Sequence, residues 1–342
     1  MLKRLCEVAG VTGNEDAVRR LLYETVGPLA DRVEKDTVGS LIAHKDGHAG
    51  DFRILIAAHM DEVGAIATSI TADGYVRFAP VGEVDPRAWP GKRVAIGRSG
   101  VRGIVGIRSV HMQNAEQRLR NVKPEELYID IGAFTQEDAL ARISPGDYIV
   151  FAGEYEEFGD RLIKAKALDC RAGCAIVAEL LEERHQASLI AAFTAQTEVG
   201  FRGAILAANT LDYDMAIAVS LVPAGDVYGG LEVAEARLGG GPVILSGIHS
   251  GEPEGVDEES LVQIAAKAGV ICQRATIPAQ EYEGEKLRKP GAAVPVLAVG
   301  IPCRNPHTPA VVVHKDDLAA CGKLLRLVLN DYGKLNLRRR KQ

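Results

Sequence analysis

Apolar runs of strand length recur along the chain, and several of them stop on a histidine or a carboxylate. Ile54-Leu55-Ile56-Ala57-Ala58 leads straight into His59-Met60-Asp61-Glu62-Val63-Gly64. A continuous apolar run bounded in this way reads as a buried strand. An apolar interior does not accept a histidine and two carboxylates without partners, so the cluster belongs at the carboxyl end of a parallel strand, where open α/β sheets place their ligands.

The same alternation organises the rest of the chain. Asn14-Glu15-Asp16 predicts a helix start, with Val18, Leu21, Leu22 and Val26 on one face as far as Gly27-Pro28, and residues 32–36 and 40–44 predict a hairpin. From about Ala65 to Gly159 the texture changes to short β segments punctuated by glycine and proline, among them residues 75–78, 92–96, 103–107, 126–131 and 147–151. Many short strands with turn signals predict a small β-barrel or sandwich. The α/β pattern resumes at Leu162, with a helix through Leu180-Leu181 and a strand from Leu189 to Thr194 that runs into Gln196-Thr197-Glu198-Val199-Gly200. A helix from about Arg202, a strand from Met215 ending at Ser220, and a helix opened by Asp257-Glu258-Glu259-Ser260 follow. A strand from Pro295 to Gly300 leads to His307, and an amphipathic helix from Asp316 carries Leu324, Leu325, Val328 and Leu329. The predicted fold class is therefore α/β, an α/β/α domain of residues 1–64 plus 160–342 interrupted by a β domain of residues 65–159.

Composition narrows the function classes. At 342 residues the chain can bury two cores. A net charge of −6 argues against a general nucleic-acid binder, which must neutralise phosphates with Lys and Arg. The basic stretch Leu337-Arg338-Arg339-Arg340-Lys341 is short and reads as a solvated tail. No signal peptide or membrane-length apolar run is visible, and the six cysteines include no Cys-x-x-Cys, so a reducing cytoplasm is expected. Cys170 and Cys174 would share a helix face; such a pair can hold zinc, although small buried side chains are the commoner explanation.

Four predicted elements end in side chains fit for metal ligation, namely His59, Asp169, Glu198 and His307. Parallel strand ends lie side by side, so these four can meet in space. Two imidazoles and two carboxylates suit zinc, cobalt or manganese, with one carboxylate able to bridge two ions. In His59-x-Asp61 the imidazole can hold the ion while Asp61 grips the other ring nitrogen and orients it. Taken singly, each residue has a plainer explanation, such as a surface histidine before proline or an aspartate capping a helix.

On these residues the chain resembles the tetrahedral aminopeptidases and their glutamyl, deblocking and cellulase-M-like relatives. The resemblance rests on Ala58–Gly64, on Phe78-Ala79-Pro80-Val81-Gly82 with Asp85-Pro86-Arg87, and on Asp130-Ile131-Gly132-Ala133. It continues through Lys166–Cys174, Glu198–Ala204, Pro223-Ala224-Gly225-Asp226 and Gly300-Ile301-Pro302 to His307, and so covers nearly the whole chain. It implies two metal ions under a peptide N-terminus, activating the water that attacks the first peptide bond. Asp169 would bridge the ions, His59 would ligate one, and Glu198 with His307 would complete the other. It also implies that the inserted domain pairs subunits and that dimers build a hollow dodecamer.

Three departures from the family pattern change the expectation. The position of the general base, a glutamate in relatives, is Thr197, and a threonine hydroxyl cannot take a proton near neutral pH. The family's further aspartate ligand is Ser220, so one tight ion is expected rather than two. The Gly-Thr-Asp-Ala segment before the last strand is replaced by Glu281–Pro290, which reads as a charged, solvated loop. Two functions follow: a metal-dependent aminopeptidase with impaired or altered catalysis, acting on peptide N-termini as a homo-oligomer, or a degenerate relative that binds peptides or metal, or partners an active paralogue. A carbohydrate hydrolase would need paired carboxylates flanking the bond, and no such pair is identifiable.

Overall fold

The computed structural model describes residues 1–49, 51–229, 236–247, 255–256, 258–277, 282–289 and 294–338. Asp257, Glu281, Pro290 and the tail from Arg339, all used in the sequence reading, lie outside the described residues.

The organising element is an 11-stranded mixed sheet. At its centre Ser188–Thr194, Arg53–His59, Met215–Pro223 and Val296–Arg304 lie parallel, in that order. These are the runs that are apolar at nearly every position, because helices cover both of their faces. One face packs on Leu2–Glu7, Asp16–Val26, Leu168–Leu180 and Lys315–Asp331, and the other on Arg202–Thr210 and the short helix Glu283–Lys286. The predicted hairpin is present as Arg32–Lys35 paired with Leu41–Lys45 at one edge.

Leaving the sheet after His59, the chain enters a closed six-stranded antiparallel barrel in the order Gly64–Ile70, Val76–Val81, Leu127–Asp130, Val101–Ile107, Arg93–Ile96, Tyr148–Phe151. Trp89, fully buried, packs between Phe78 and Phe151 at centroid distances of 5.2 and 4.3 Å. Glycine is required at the entrance: a Cβ on Gly64 would lie 2.5 Å from the Ile149 carbonyl oxygen and from a Val11 methyl. The α/β fold with a small barrel is thus the architecture the sequence predicts.

Three expectations need correction. The Met215 strand does not stop at Ser220 but pairs with Val296–Arg304 as far as Pro223, because Leu221 and Val222 keep burying apolar surface and Ser220 sits opposite Gly300. The segment read as a solvated loop is largely interior: Tyr282, Glu283, Gly284 and Leu287 are buried, with Gly284 against Ala218 and the Leu287 carbonyl accepting from the Tyr213 hydroxyl at 2.6 Å. Cys170 does not share a helical face with Cys174, since Asp169 (φ −83°, ψ 110°) and Cys170 (φ −113°, ψ 42°) have non-helical backbones at the start of their helix. The six cysteines are free thiols. No helix among the described residues is long and apolar enough to cross a membrane.

Candidate metal centre

The sheet and its exit loops bring His59, Asp169, Glu198 and His307 together. His59 Nε2 lies 3.4 Å from Asp169 Oδ1, and Asp169 Oδ2 lies 3.7 Å from His307 Nε2, which is 3.9 Å from Glu198 Oε1. These separations are long for hydrogen bonds and suit donors that surround a cation. Asp169, Glu198 and His307 each offer a ligand atom within 4.8 Å of the others, and so do His59, Asp169 and Cys170. Asp169 belongs to both groups and turns one oxygen to each histidine, the placement a bridging carboxylate needs.

Each side chain is fixed by its neighbours. Glu198 sits in the tight turn Thr197–Val199 that follows Ser188–Thr194, and the turn is flanked by left-handed residues at Gln196, Gly200 and Phe201. Its backbone N–H donates to Asp61 Oδ2 at 3.0 Å, and the Thr12 hydroxyl donates to the same oxygen at 2.7 Å. Asp61 is fully buried; its main-chain carbonyl lies 3.3 Å from His59 Nδ1, and its Oδ1, which has no hydrogen-bond partner among the described residues, faces the same nitrogen at 3.6 Å. From the barrel side Gly82 presses on the turn, where a Cβ would lie 3.1 Å from that of Glu198 and 2.9 Å from a Val63 methyl.

Glu62, the second carboxylate of the opening motif, faces elsewhere. It accepts from Lys166 Nζ at 2.8 and 2.9 Å and from the Gly10 N–H at 2.9 Å, with Arg171 Nη2 at 3.4 Å. All three ionic side chains are buried, and Lys166 and Arg171 also donate to the carbonyls of Val8 and Leu5. The triad ties the first helix and the Asp169 segment to the strand end. A small cleft lined by Val63, Phe151, Lys166, Asp169, Glu198 and His307 opens beside it.

Electrostatics favour a cation here. Burial disfavours a charged imidazole, yet Asp169 and Asp61 outweigh it and hold His59 well above the usual histidine pKa. Burial likewise opposes ionisation of Asp61 and Asp169, and His59 overrides it, so both carboxyls lie below their usual value. Glu198 goes the other way: burial, incompletely offset by His59 and His307, pushes it up to about 7. Glu283 is also raised, by burial first. Four carboxyl groups (Asp61, Asp169, Glu198 and Glu283) thus share two imidazoles, and a divalent ion would supply the missing positive charge. The donor set fits such an ion.

The sequence model of the M42 glutamyl aminopeptidase family matches residues 39–324. The chain belongs to the M42 family. Among solved structures it is similar to the TET aminopeptidase of a marine sediment archaeon of the Thaumarchaeota, with a TM-score of 0.90 and 28% identity over 96% of this chain and 95% of that one. An aminopeptidase of the archaeon Desulfurococcus kamchatkensis gives a TM-score of 0.88 and 31% identity over 96% and 93%. The TET1 peptidase of Pyrococcus horikoshii, described as able to assemble into a tetrahedron or a large octahedral shell, gives 0.82 and 28% over 96% and 98%. M42 proteins are metal-dependent aminopeptidases.

Two positions at which the sequence is expected to depart from the family pattern have defined surroundings. Thr197, which the resemblance would set at the position of the general base, is buried and its hydroxyl has no hydrogen-bond partner among the described residues. Ser220 is half-buried within its strand, between Val219, whose carbonyl accepts from the Cys170 thiol at 3.0 Å, and Leu221, whose N–H lies 3.4 Å from Asp169 Oδ1. Sequence reasoning missed Glu283, whose Oε1 accepts from the Thr194 hydroxyl at 2.5 Å while Oε2 is buried without a partner among the described residues. Thr194 stands opposite His59 in the sheet, so this carboxylate lies immediately behind the centre. The available signal was apolar punctuation at Tyr282, Gly284 and Leu287 within a stretch dominated by charge.

Proposed function

We propose that this protein is a metal-dependent aminopeptidase-type hydrolase that acts on peptide N-termini with altered proton transfer, and that its principal ion is held by Asp169, Glu198 and His307. The observation that carries the reading is the convergence of those three donors at the mouth of a cleft. Zinc or cobalt suits the set, with manganese an outcome of the metal test. A bound ion would polarise the scissile carbonyl and acidify water. Around it, Asp61 holds the His59 ring through its Nδ1 side, and Asp169 and Glu198 supply the negative charge that would meet a peptide's ammonium group. Thr197 cannot act as general base, and general acid–base help is typically worth ~10²–10⁴-fold.

Loss of that help supports a second reading, a catalytically degenerate M42 protein that binds peptides or metal or serves as partner to an active paralogue. In either case the proposal includes homo-oligomerisation, from dimer to dodecamer, through an inserted domain at residues 65–159. Exposed apolar side chains within that segment, Leu119 and Phe134 each at 89%, support an assembly surface. A cytoplasmic site of action is part of the proposal and is supported by the free thiols.

The test is to count bound metal by mass spectrometry and assay a panel of aminoacyl chromogenic substrates with Zn²⁺, Co²⁺ and Mn²⁺. Turnover abolished by Glu198→Ala, together with loss of the bound ion, is the expected result. An inert protein that gains activity only on Thr197→Glu with Ser220→Asp would establish the degenerate reading instead.

A further inference from the structure

We propose that the Cys170 thiolate, with His59 and Asp169, completes a second cation site in this chain, one that selects zinc over harder ions. The proposal rests on the reading of Asp169, Glu198 and His307 as a metal site, and adds beside it a half of different chemistry. One ligand atom from each of His59, Asp169 and Cys170 lies within 4.8 Å of the other two. The non-helical backbone at Asp169 and Cys170 lets consecutive side chains reach the same strand end, where a regular helix would send them apart.

The position of Cys170 matters as much as its distances. Its Sγ donates to the Val219 carbonyl at 3.0 Å, while the Leu221 N–H lies 3.4 Å from Asp169 Oδ1. Ser220 lies between those two contacts, so the thiol stands beside the strand position where the family pattern expects a carboxylate ligand. A second, independent observation concerns His59. The buried Asp61 holds His59 Nδ1 from behind, with its main-chain carbonyl at 3.3 Å and its Oδ1, which has no hydrogen-bond partner among the described residues, at 3.6 Å, while Nε2 faces Asp169. An imidazole gripped from behind in this way is presented as a ligand. Cys174 does not contribute, since its Sγ is turned to the carbonyls of His59 and Ala58 at 3.2 and 3.6 Å.

Imidazole, carboxylate and thiolate form a borderline-to-soft set that suits zinc and disfavours magnesium or manganese. Zinc holds sulfur at about 2.3 Å and nitrogen at about 2.0–2.1 Å, so an ion held there would require the Cys170 thiol to give up the Val219 carbonyl. On binding, the thiol proton passes to solvent and the sulfur coordinates as thiolate.

Cobalt substitution tests this independently of activity. The purified full-length protein, stripped with chelator, is titrated with Co²⁺ while the near-ultraviolet thiolate-to-cobalt charge-transfer absorption and the bound metal are followed. The expected wild-type result is that absorption, its loss on Zn²⁺ addition, and its absence in Cys170→Ser, which holds one ion per chain fewer. Glu198→Ala, which weakens the neighbouring site, keeps the absorption. Cobalt bound to wild type without thiolate absorption overturns this inference and leaves the proposed function standing. No bound cobalt at all overturns both. The wild-type spectrum decides even where the Cys170 variant fails to fold.

Discussion

Installing a carboxylate at residue 197 addresses the proposed mechanism directly. The Thr197 side chain is buried and its hydroxyl has no hydrogen-bond partner among the described residues, so replacing it forfeits no side-chain hydrogen bond seen there. The new glutamate meets a site where Asp61, Asp169 and Glu198 already crowd two histidines, and where Glu198 is pushed up to about 7. A further carboxyl group in that company is held above its solution pKa, which places it close to the operating pH at which a general base is most effective. Thr197→Glu is therefore expected to raise kcat on aminoacyl chromogenic substrates by ~10²–10⁴-fold, or about 2.7–5.5 kcal/mol of barrier. KM should change little, because the interaction forms mainly in the transition state. The assay is steady-state kinetics on metal-loaded wild type and variant across pH, with bound metal counted in both. If wild type turns over briskly, Glu198→Ala abolishes it, and Thr197→Glu leaves kcat unchanged at full metal occupancy, the proton is taken elsewhere and the reasoning fails.

Two further predictions concern stability. Lys166→Met leaves Glu62 buried with only Arg171 and the Gly10 N–H beside it, and is expected to cost about 3–5 kcal/mol in denaturant unfolding; a neutral result would show that the triad does not hold the Asp169 segment in place. In the barrel, the hydrogen bonds from Arg120, followed by the backbone N–H of Lys123, hold Glu126 down at about 2, against 4.5 for a free glutamate. A depressed carboxyl pKa stabilises the fold above the unfolded value and loses that contribution as pH falls through the folded one. The melting-temperature gap between wild type and Glu126→Gln should therefore close as pH falls from about 4.5 towards about 2, and a gap that stays constant would remove the ion pair as its cause.

How much of this was legible in the sequence depends on the range of the interaction. The central strands could be read because burial on both faces leaves continuous apolar runs, and the barrel because glycine and proline punctuate short strands. The convergence of His59, Glu198 and His307 followed from a topological rule, that parallel strands end on one edge, whereas Asp169 follows Leu162–Ala165, whose neighbours are both antiparallel. Charge carried no such rule. Glu283 and Glu285 stand two apart in the same acidic stretch, yet Glu283 is buried against Thr194 while Glu285 is half-buried and pairs with Arg288 at 3.0 Å. The difference comes from which face of a four-residue helix meets the sheet, and no local pattern encodes that. Glu62 was hidden for a similar reason, since its partners Lys166 and Arg171 lie more than a hundred residues away in sequence.

The departures from the family pattern carry different weight once placed in the fold. Ser220 alone suggests that one half of the metal centre has been given up. Its neighbours suggest a change of kind, because Val219 holds the Cys170 thiol and Leu221 contacts Asp169 on either side of it. Among the described residues the Thr197 hydroxyl has no hydrogen-bond partner, and Glu283 reaches Thr194 behind the His59 strand end, while the cleft is lined by Asp169, Glu198 and His307. A thiolate beside His59 would retain an ion without restoring a base, and metal binding and turnover would then separate. A protein that holds two ions and hydrolyses slowly is the combination these residues favour, and the cobalt spectrum read beside the kcat of Thr197→Glu distinguishes it from one that has lost both.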